Sequence, residues 1–438
     1  MKKRESFFSI LDYGAQTEGS STRQIQAAID AASEVRGTVF IPAGIFTTGT
    51  LNLKGVSLYL EKGAVLKGSP KIEDYPFYGF VHNEMKNVFS LLYCMDCEDL
   101  VISGEGTIDL NGSAFFDFNQ RIVPPDSRVP LNQKQIDECS VRHETRPNQP
   151  IMFYRVKHLA VRGIRIVDAP CWTMSFIECE DIKVSDLTID NDLSIPNNDG
   201  IHFVCCKDVI VRGCNISAGD DCVAMTGITD WNKPTEGVII SDCFLRSCSK
   251  AISIGYMHSI VRDVTITNCI VRESNRAVVL MASAGTGLIE NVTISNLRLD
   301  TRIRAGLWWG NGEPVCVMGT LHNYESYRDP PPEKRFEVCV RNVLFQNLIC
   351  SAENVIAVIG ENKSVRDIYF DHIIFELKDS ENLALKGRVV DLSPGNQIAE
   401  LPDDGNPYWL FIKDAAKVET QNVTILPFHG QTPGIYVL

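Results

Sequence analysis

The sequence predicts an all-β protein: a right-handed parallel β-helix, a solenoid of stacked coils, with a short helix capping its N-terminal end. Three observations predict it. From about residue 98 a module of polar residues followed by alternating β-branched ones recurs, with neighbouring copies roughly 23 to 29 residues apart. The apolar runs are of strand length, with Asn, Asp or Gly at the turns between them. Each unit is too short to bury both of its faces, so the units must stack to build a continuous core.

Near the start, Ser21-Thr22-Arg23-Gln24 resembles a capping box, and Ile25, Ala28, Ile29 and Ala32 follow at helical spacing until Gly37. This is the capping helix, placed to cover strand edges that would otherwise stay open. Brief strands follow at Thr38-Val39-Phe40-Ile41 and Val56-Ser57-Leu58-Tyr59-Leu60. The module then appears as Glu98-Asp99-Leu100-Val101-Ile102, and it recurs from Lys157, Glu180, Lys207, Glu236, Arg262, Glu290, Arg341 and Arg366. Two stretches break the period. Asn111 to Pro150 is polar, with Pro124-Pro125 and His143-Glu144-Thr145-Arg146-Pro147, and reads as a long excursion from one turn. Trp308 to Lys334, with several tyrosines and Pro330-Pro331-Pro332, reads as a loop walling a cleft. The expected organisation is one domain over 1–438, with a cap and first coils to about 70. An irregular capping segment, containing Gly395, Pro402, Gly405 and Pro407, fills about 377–438.

A chain of 438 residues, 44% of them hydrophobic, can bury a large core. Its net charge of -13 argues against nucleic acid or an anionic membrane as partner, since either needs a basic surface. Many of the fifteen cysteines sit inside apolar alternating segments and read as buried thiols, which points to a reducing compartment. Cys94 and Cys97 form a lone C-x-x-C without a second pair at metal spacing. The first residues show no apolar segment of a secretory signal, and no apolar run is long enough to span a bilayer. The expected location is cytoplasmic, with a substrate small enough to be imported. The sequence leaves the oligomeric state open.

The chemistry gathers between Pro196 and Met225. Asn197-Asn198-Asp199-Gly200 and Gly219-Asp220-Asp221 lie about one repeat apart, so stacking would bring three carboxylates together on one face. Crowded carboxylates raise the proton affinity of at least one, which then donates to a leaving oxygen while ionised neighbours activate water. Either motif alone is an ordinary turn composition. Two in register on consecutive rungs are not. Such chemistry requires no metal or organic cofactor.

These motifs carry a resemblance. Together with Leu11-Asp12-Tyr13-Gly14-Ala15, Val39-Phe40-Ile41-Pro42-Ala43-Gly44 and Gly104-Glu105-Gly106-Thr107-Ile108-Asp109, they make the chain resemble glycoside hydrolase family 28, the polygalacturonase-type pectinases. The similarity extends to about residue 300. It implies hydrolysis with inversion, Asp220 as general acid, and Asp199 and Asp221 holding and deprotonating water. There are departures. Lys250 stands where the family has the histidine of Gly-His-Gly, and Val279-Leu280-Met281 stands where the family has Arg-Ile-Lys, the pair that holds galacturonate carboxylates. An apolar side chain cannot hold a carboxylate, and losing a charged hydrogen bond costs about 1.5 to 3 kcal/mol.

The expected substrate is therefore a pectin-derived oligosaccharide attacked from the chain end, of rhamnogalacturonan type or otherwise mixed or neutral, rather than plain polygalacturonate. Candidate sugar contacts are Asn197, His202, Lys250, Trp308, Trp309 and Glu313: tryptophan faces suit sugar stacking, and Glu313 is placed in a loop to bind a hydroxyl. Arg146, Arg276, Arg302 and Arg304 are alternative anchors for an acidic sugar, though each reads first as an ordinary surface arginine. Two other classes compete: a carbohydrate-binding protein whose catalysis has lapsed, and a polysaccharide lyase.

Overall fold

Successive side chains of a strand point to opposite faces, so a module with its apolar residues two apart buries one side only. In the computed structural model those residues stack. Leu58, Ile102, Val161, Val184, Val211, Ile240, Ile266, Ile294, Phe345 and Phe370 pair in parallel register, one above the next. Strands in a sheet lie about 4.8 Å apart, so like side chains meet directly. Phe153, Phe176 and Phe203 stack in a second column with centroids 5.2 and 5.1 Å apart. The result is a right-handed parallel β-helix in which, among the described residues, 33 strands belong to one continuous sheet. The structure describes residues 7–82, 85–124, 129–143, 145–227, 233–282, 287–320, 338–392 and 398–438. Pro125, Glu144, Pro330-Pro331-Pro332 and Gly395, named above, lie outside them.

The polar half of the module has a backbone cause. Its second residue, Asp99, His158, Asp181, Asp208, Asp263, Asn291, Asn342 or Asp367, sits at a corner in the left-handed region with φ near +55°, as at Asp367. Asn and Asp tolerate that region better than other side chains with a Cβ. The first residue builds a charge ladder. Glu98, Lys157, Glu180, Lys207, Glu236, Arg262, Glu290 and Arg341 are consecutive partners. In-register stacking would put like charges face to face, and the alternation of sign removes that penalty.

The capping helix spans Thr22–Ser33 and buries Ile25, Ala28, Ile29 and Ala32 as expected. The capping box does not form. The Ser21 hydroxyl instead bonds the backbone N–H and carbonyl of Gln16, holding the incoming chain rather than the helix. The polar excursion is an antiparallel ribbon, Phe116–Arg121 with Val141–His143, and a short helix, Gln133–Glu138, whose N-cap Asn132 does form a capping box. A smaller ribbon, Val81–His82 with Lys86–Asn87, also leaves the stack. Besides the main core, a second apolar cluster lies outside one sheet face and includes Val204, Tyr256, Val279, Met281 and Cys316.

Candidate active site

One column of the helix organises the site. Strands Met174–Ile177, Ile201–Val204, Val223–Thr226, Lys250–Ile254, Arg276–Ala282 and Val315–Gly319 pair in that order with Met174, Ile201, Val223, Ile252, Val278 and Val315 in register. Two residues earlier on each rung stand Trp172, Asp199, Asp221, Lys250, Arg276 and Glu313. Backbone bonds from Thr173 N–H to the Asp199 carbonyl, Gly200 N–H to that of Asp221, and Cys222 N–H to that of Lys250 tie the rungs where the acids sit. Neighbouring rungs thus place two carboxylates, then two cations, then a carboxylate in one line.

The asparagines of the first motif hold this arrangement. Asn198 is buried, accepts from Gly219 N–H at 2.6 Å and donates to the Asp192 carbonyl at 2.8 Å, so it pins the loop before Asp199 to the turn before Asp220. A Cβ on Gly219 would lie 2.3 Å from the Ile195 carbonyl, so only glycine allows the two turns to close. Asn197 takes the left-handed region and its side-chain oxygen accepts from Arg146 at 3.3 Å.

Asp199, Asp220 and Asp221 line one small pocket, with Asn197, His202 and Lys250 among the other walls. The structure thus brings together residues that the sequence carries in two separate motifs. Asp220 is half-buried, and desolvation, followed by the charges of Asp199 and Asp221, holds its carboxyl well above the usual carboxylate range. Lys250 lies 3.1 Å from Asp221 and 4.6 Å from the Trp309 ring centroid, and is 2% exposed. Its ammonium is enclosed by protein.

His202 packs its ring 3.9 Å from that of Trp172, with Nδ1 3.3 Å from Asp199 and Nε2 3.1 Å from the Thr226 hydroxyl. Burial, opposed by Asp221 and aided by Lys250, lowers its pKa to about 3, so it is a neutral imidazole packed beside Asp199. Trp309 lines the pocket, near parallel to Tyr256.

Two expected sugar contacts are placed elsewhere. Trp308 is buried away from the pocket and its indole N–H donates to the Glu138 carbonyl at 2.9 Å. Glu313 stands at the end of the column but is sealed: its carboxylate pairs with Arg276 and accepts from Asn311 and Asp391 N–H. Nor are the arginines at the surface. Arg276 is fully buried, and Arg146 and Arg304 are nearly so. Arg146 bonds the Pro196 carbonyl as well as Asn197, and so steadies the first motif from behind. Arg302 is ion-paired to Glu138.

Sequence reasoning missed Trp172, Thr226, Ser253 and Tyr256, which complete the pocket wall. Trp172 carried a usable signal. It stands two residues before a strand, as Asp199 and Asp221 do.

Fold and site together define a parallel β-helix with an acidic pocket on its outer face. The family described as Glycosyl hydrolases family 28 matches residues 32–374, and the chain belongs to it. A probable polygalacturonase of Vitis vinifera is 24% identical over 79% of this chain and 69% of its own length. An exopolygalacturonase of Platanus acerifolia is 26% identical over 50% of this chain and 52% of its own. Among solved structures, the family 28 exopolygalacturonase of Yersinia enterocolitica superposes with a TM-score of 0.72 at 19% identity, covering 99% of this chain and 78% of that one.

Proposed function

We propose that this protein hydrolyses, with inversion, the terminal glycosidic bond of pectin-derived oligosaccharides, and that plain polygalacturonate is not its preferred substrate. The observation that carries the reading is the shared pocket of Asp199, Asp220 and Asp221, in which desolvation and the two neighbouring carboxylates hold the Asp220 carboxyl well above the ordinary carboxylate range. Asp220 donates its proton to the departing glycosidic oxygen. Asp199, beside His202, and Asp221, beside Lys250, hold a water on the other side of the sugar carbon and accept its proton as it attacks. One displacement completes the reaction, and carboxylates and water suffice for it.

Two observations support the substrate preference. Val279 and Met281, standing where the family resemblance places a cationic pair, are closed off within the second apolar cluster. The pocket wall includes one cation among the described residues, Lys250, and its charge faces Asp221. A uronate carboxylate would meet three aspartates and, among the described lining residues, no cation other than the lysine already facing Asp221. Chain-end action is supported by the small pocket, whose wall includes Trp172, Tyr256 and Trp309, and by the exopolygalacturonases among its relatives. Fifteen free cysteines, fourteen of them buried, suit the reducing compartment proposed for it.

The test is sugar release by wild type and Asp220→Asn across rhamnogalacturonan, xylogalacturonan and homogalacturonan oligosaccharides, with the anomer followed by NMR. Cleavage of a mixed oligosaccharide, lost in Asp220→Asn, supports the reading. Equal activity of the two proteins removes Asp220 as the acid, and preferential cleavage of homogalacturonan removes the substrate preference.

A further inference from the structure

The charged column does not end at the pocket. Arg276 follows Lys250 as its register partner, and Glu313 follows Arg276. Arg276 Nε lies 3.2 Å from Glu313, and its Nη2 donates to the Asp391 carbonyl while standing 3.6 Å from the Asp391 carboxylate. Burial works against this guanidinium, but the charges of Glu313 and Asp391 outweigh it and hold it firmly protonated. Asp391 comes from a segment beyond the family match, and its carboxylate accepts from Gly310 N–H at 2.6 Å.

Gly310 follows Trp309, whose carbonyl accepts from Asn275 at 3.3 Å. A Cβ at Gly310, where φ is +124°, would lie 2.7 Å from Arg276 Cγ, so the loop rests directly on the buried arginine. The same segment grips this loop elsewhere. Asn382 donates to the Ile303 carbonyl at 2.9 Å, Lys386 to that of Gly306 at 2.7 Å, and Asn311 donates back to that of Val389 at 2.7 Å. A stretch of ten residues crosses a loop of similar length and fastens it at both ends and in the middle.

We propose that residues 382–391 form a strap that sets the position of Trp309, and that Asp391 and Arg276 are positioning residues controlling how tightly the pocket grips a sugar ring. This rests on the hydrolytic reading for its consequence in turnover, but not for its consequence in binding. Removing the Asp391 carboxylate frees Gly310 N–H and leaves Arg276 with one counter-charge. Trp309 then loses its fixed distance from Lys250 and Tyr256, the two side chains it meets at the pocket wall.

The experiment measures Asp391→Ala, Asp391→Asn, Trp309→Ala and the double variant Asp391→Asn/Trp309→Ala. Each is followed for hydrolysis of the best oligosaccharide, and for its binding on the Asp220→Asn background by calorimetry. The expected result is a rise of about tenfold in KM and in Kd for Asp391→Ala, carried mainly by affinity rather than kcat, with Asp391→Asn in between. Because Asp391 acts through Trp309, the Asp391→Asn effect on affinity should disappear once Trp309 is alanine. A lowered melting temperature with KM and Kd unchanged overturns the proposal, as does additivity in the double variant. If Asp391→Ala does not fold, Asp391→Asn and the double variant still decide. Should the wild type bind oligosaccharides without cleaving them, the hydrolytic reading fails while the calorimetry still tests the strap.

Discussion

Lys250 Nζ lies 3.1 Å from Asp221 Oδ1, and both side chains are buried at the pocket wall. The lysine stands where the family resemblance places a histidine, and its stem rises from the rung directly after that of Asp221. Lys250→Met would leave a buried carboxylate without its partner, a loss of about 3–5 kcal/mol in pairs of this kind. Urea denaturation should show that loss together with a fall in turnover of about a hundredfold or more. Lys250→His should recover part of both, since a protonated imidazole can face the same carboxylate. Unchanged stability in Lys250→Met would mean that the pair contributes nothing.

Asp220 should limit stability as well as carry the reaction. Its native carboxyl keeps a proton that the unfolded chain releases above about pH 4, so the native state is penalised as pH rises through that range and beyond. Asp220→Asn removes the penalty. The variant should melt higher than wild type at pH 7, and the gain should shrink on acidification until it vanishes below about pH 4. Melting curves at pH 7, 5.5 and 4 check this, and an Asn variant less stable at neutral pH would contradict it.

His202 has the opposite linkage. It is neutral in the fold, with a pKa of about 3, and takes a proton near pH 6.5 once unfolded. The stability associated with it is complete above that pH and is lost as pH falls toward 3, an effect of a few kcal/mol at most. His82, also buried and lowered to about 3, adds to the same slope. His202→Gln should therefore flatten the acid side of the stability profile, and denaturant midpoints between pH 7 and 4 measure it. An unaltered slope would assign the acid lability elsewhere.

Restoring the family's cationic pair should fail. Val279 and Met281 pack with Tyr256 and Cys316 in the second apolar cluster, so Val279→Arg with Met281→Lys buries two charges without partners. The double variant should lose at least about 3 kcal/mol of stability and gain no activity on polygalacturonate. A stable variant that cleaves polygalacturonate would show that the groove reaches these side chains.

Much of the fold was legible because it is written locally and repeatedly. Each module spells out an inward apolar pair and a corner residue that tolerates positive φ, and from Glu98 to Arg341 its first charge is opposite in sign to its neighbour's, an alternation that stops where Arg341 meets Arg366. The loops carry no such redundancy. Trp308 and Trp309 are adjacent and chemically identical, yet one gives its N–H to Glu138 from the polar excursion and the other faces Lys250. Glu313 looked available in a glycine-rich loop, but a residue 78 positions away in the chain meets its carboxylate.

What the sequence by itself determined is therefore the periodic part: a stack of short parallel coils, the family, and two acidic motifs one repeat apart. Tertiary structure alone decided which side chains share the pocket with those acids. Register is a property of paired strands, and it aligned Trp172, Asp199, Asp221, Lys250, Arg276 and Glu313 in one column although they span 141 positions of sequence. Whether a loop residue then faces sugar or core depends on partners contributed by distant segments, Glu138 and Asp391 among them, and no local pattern encodes those encounters.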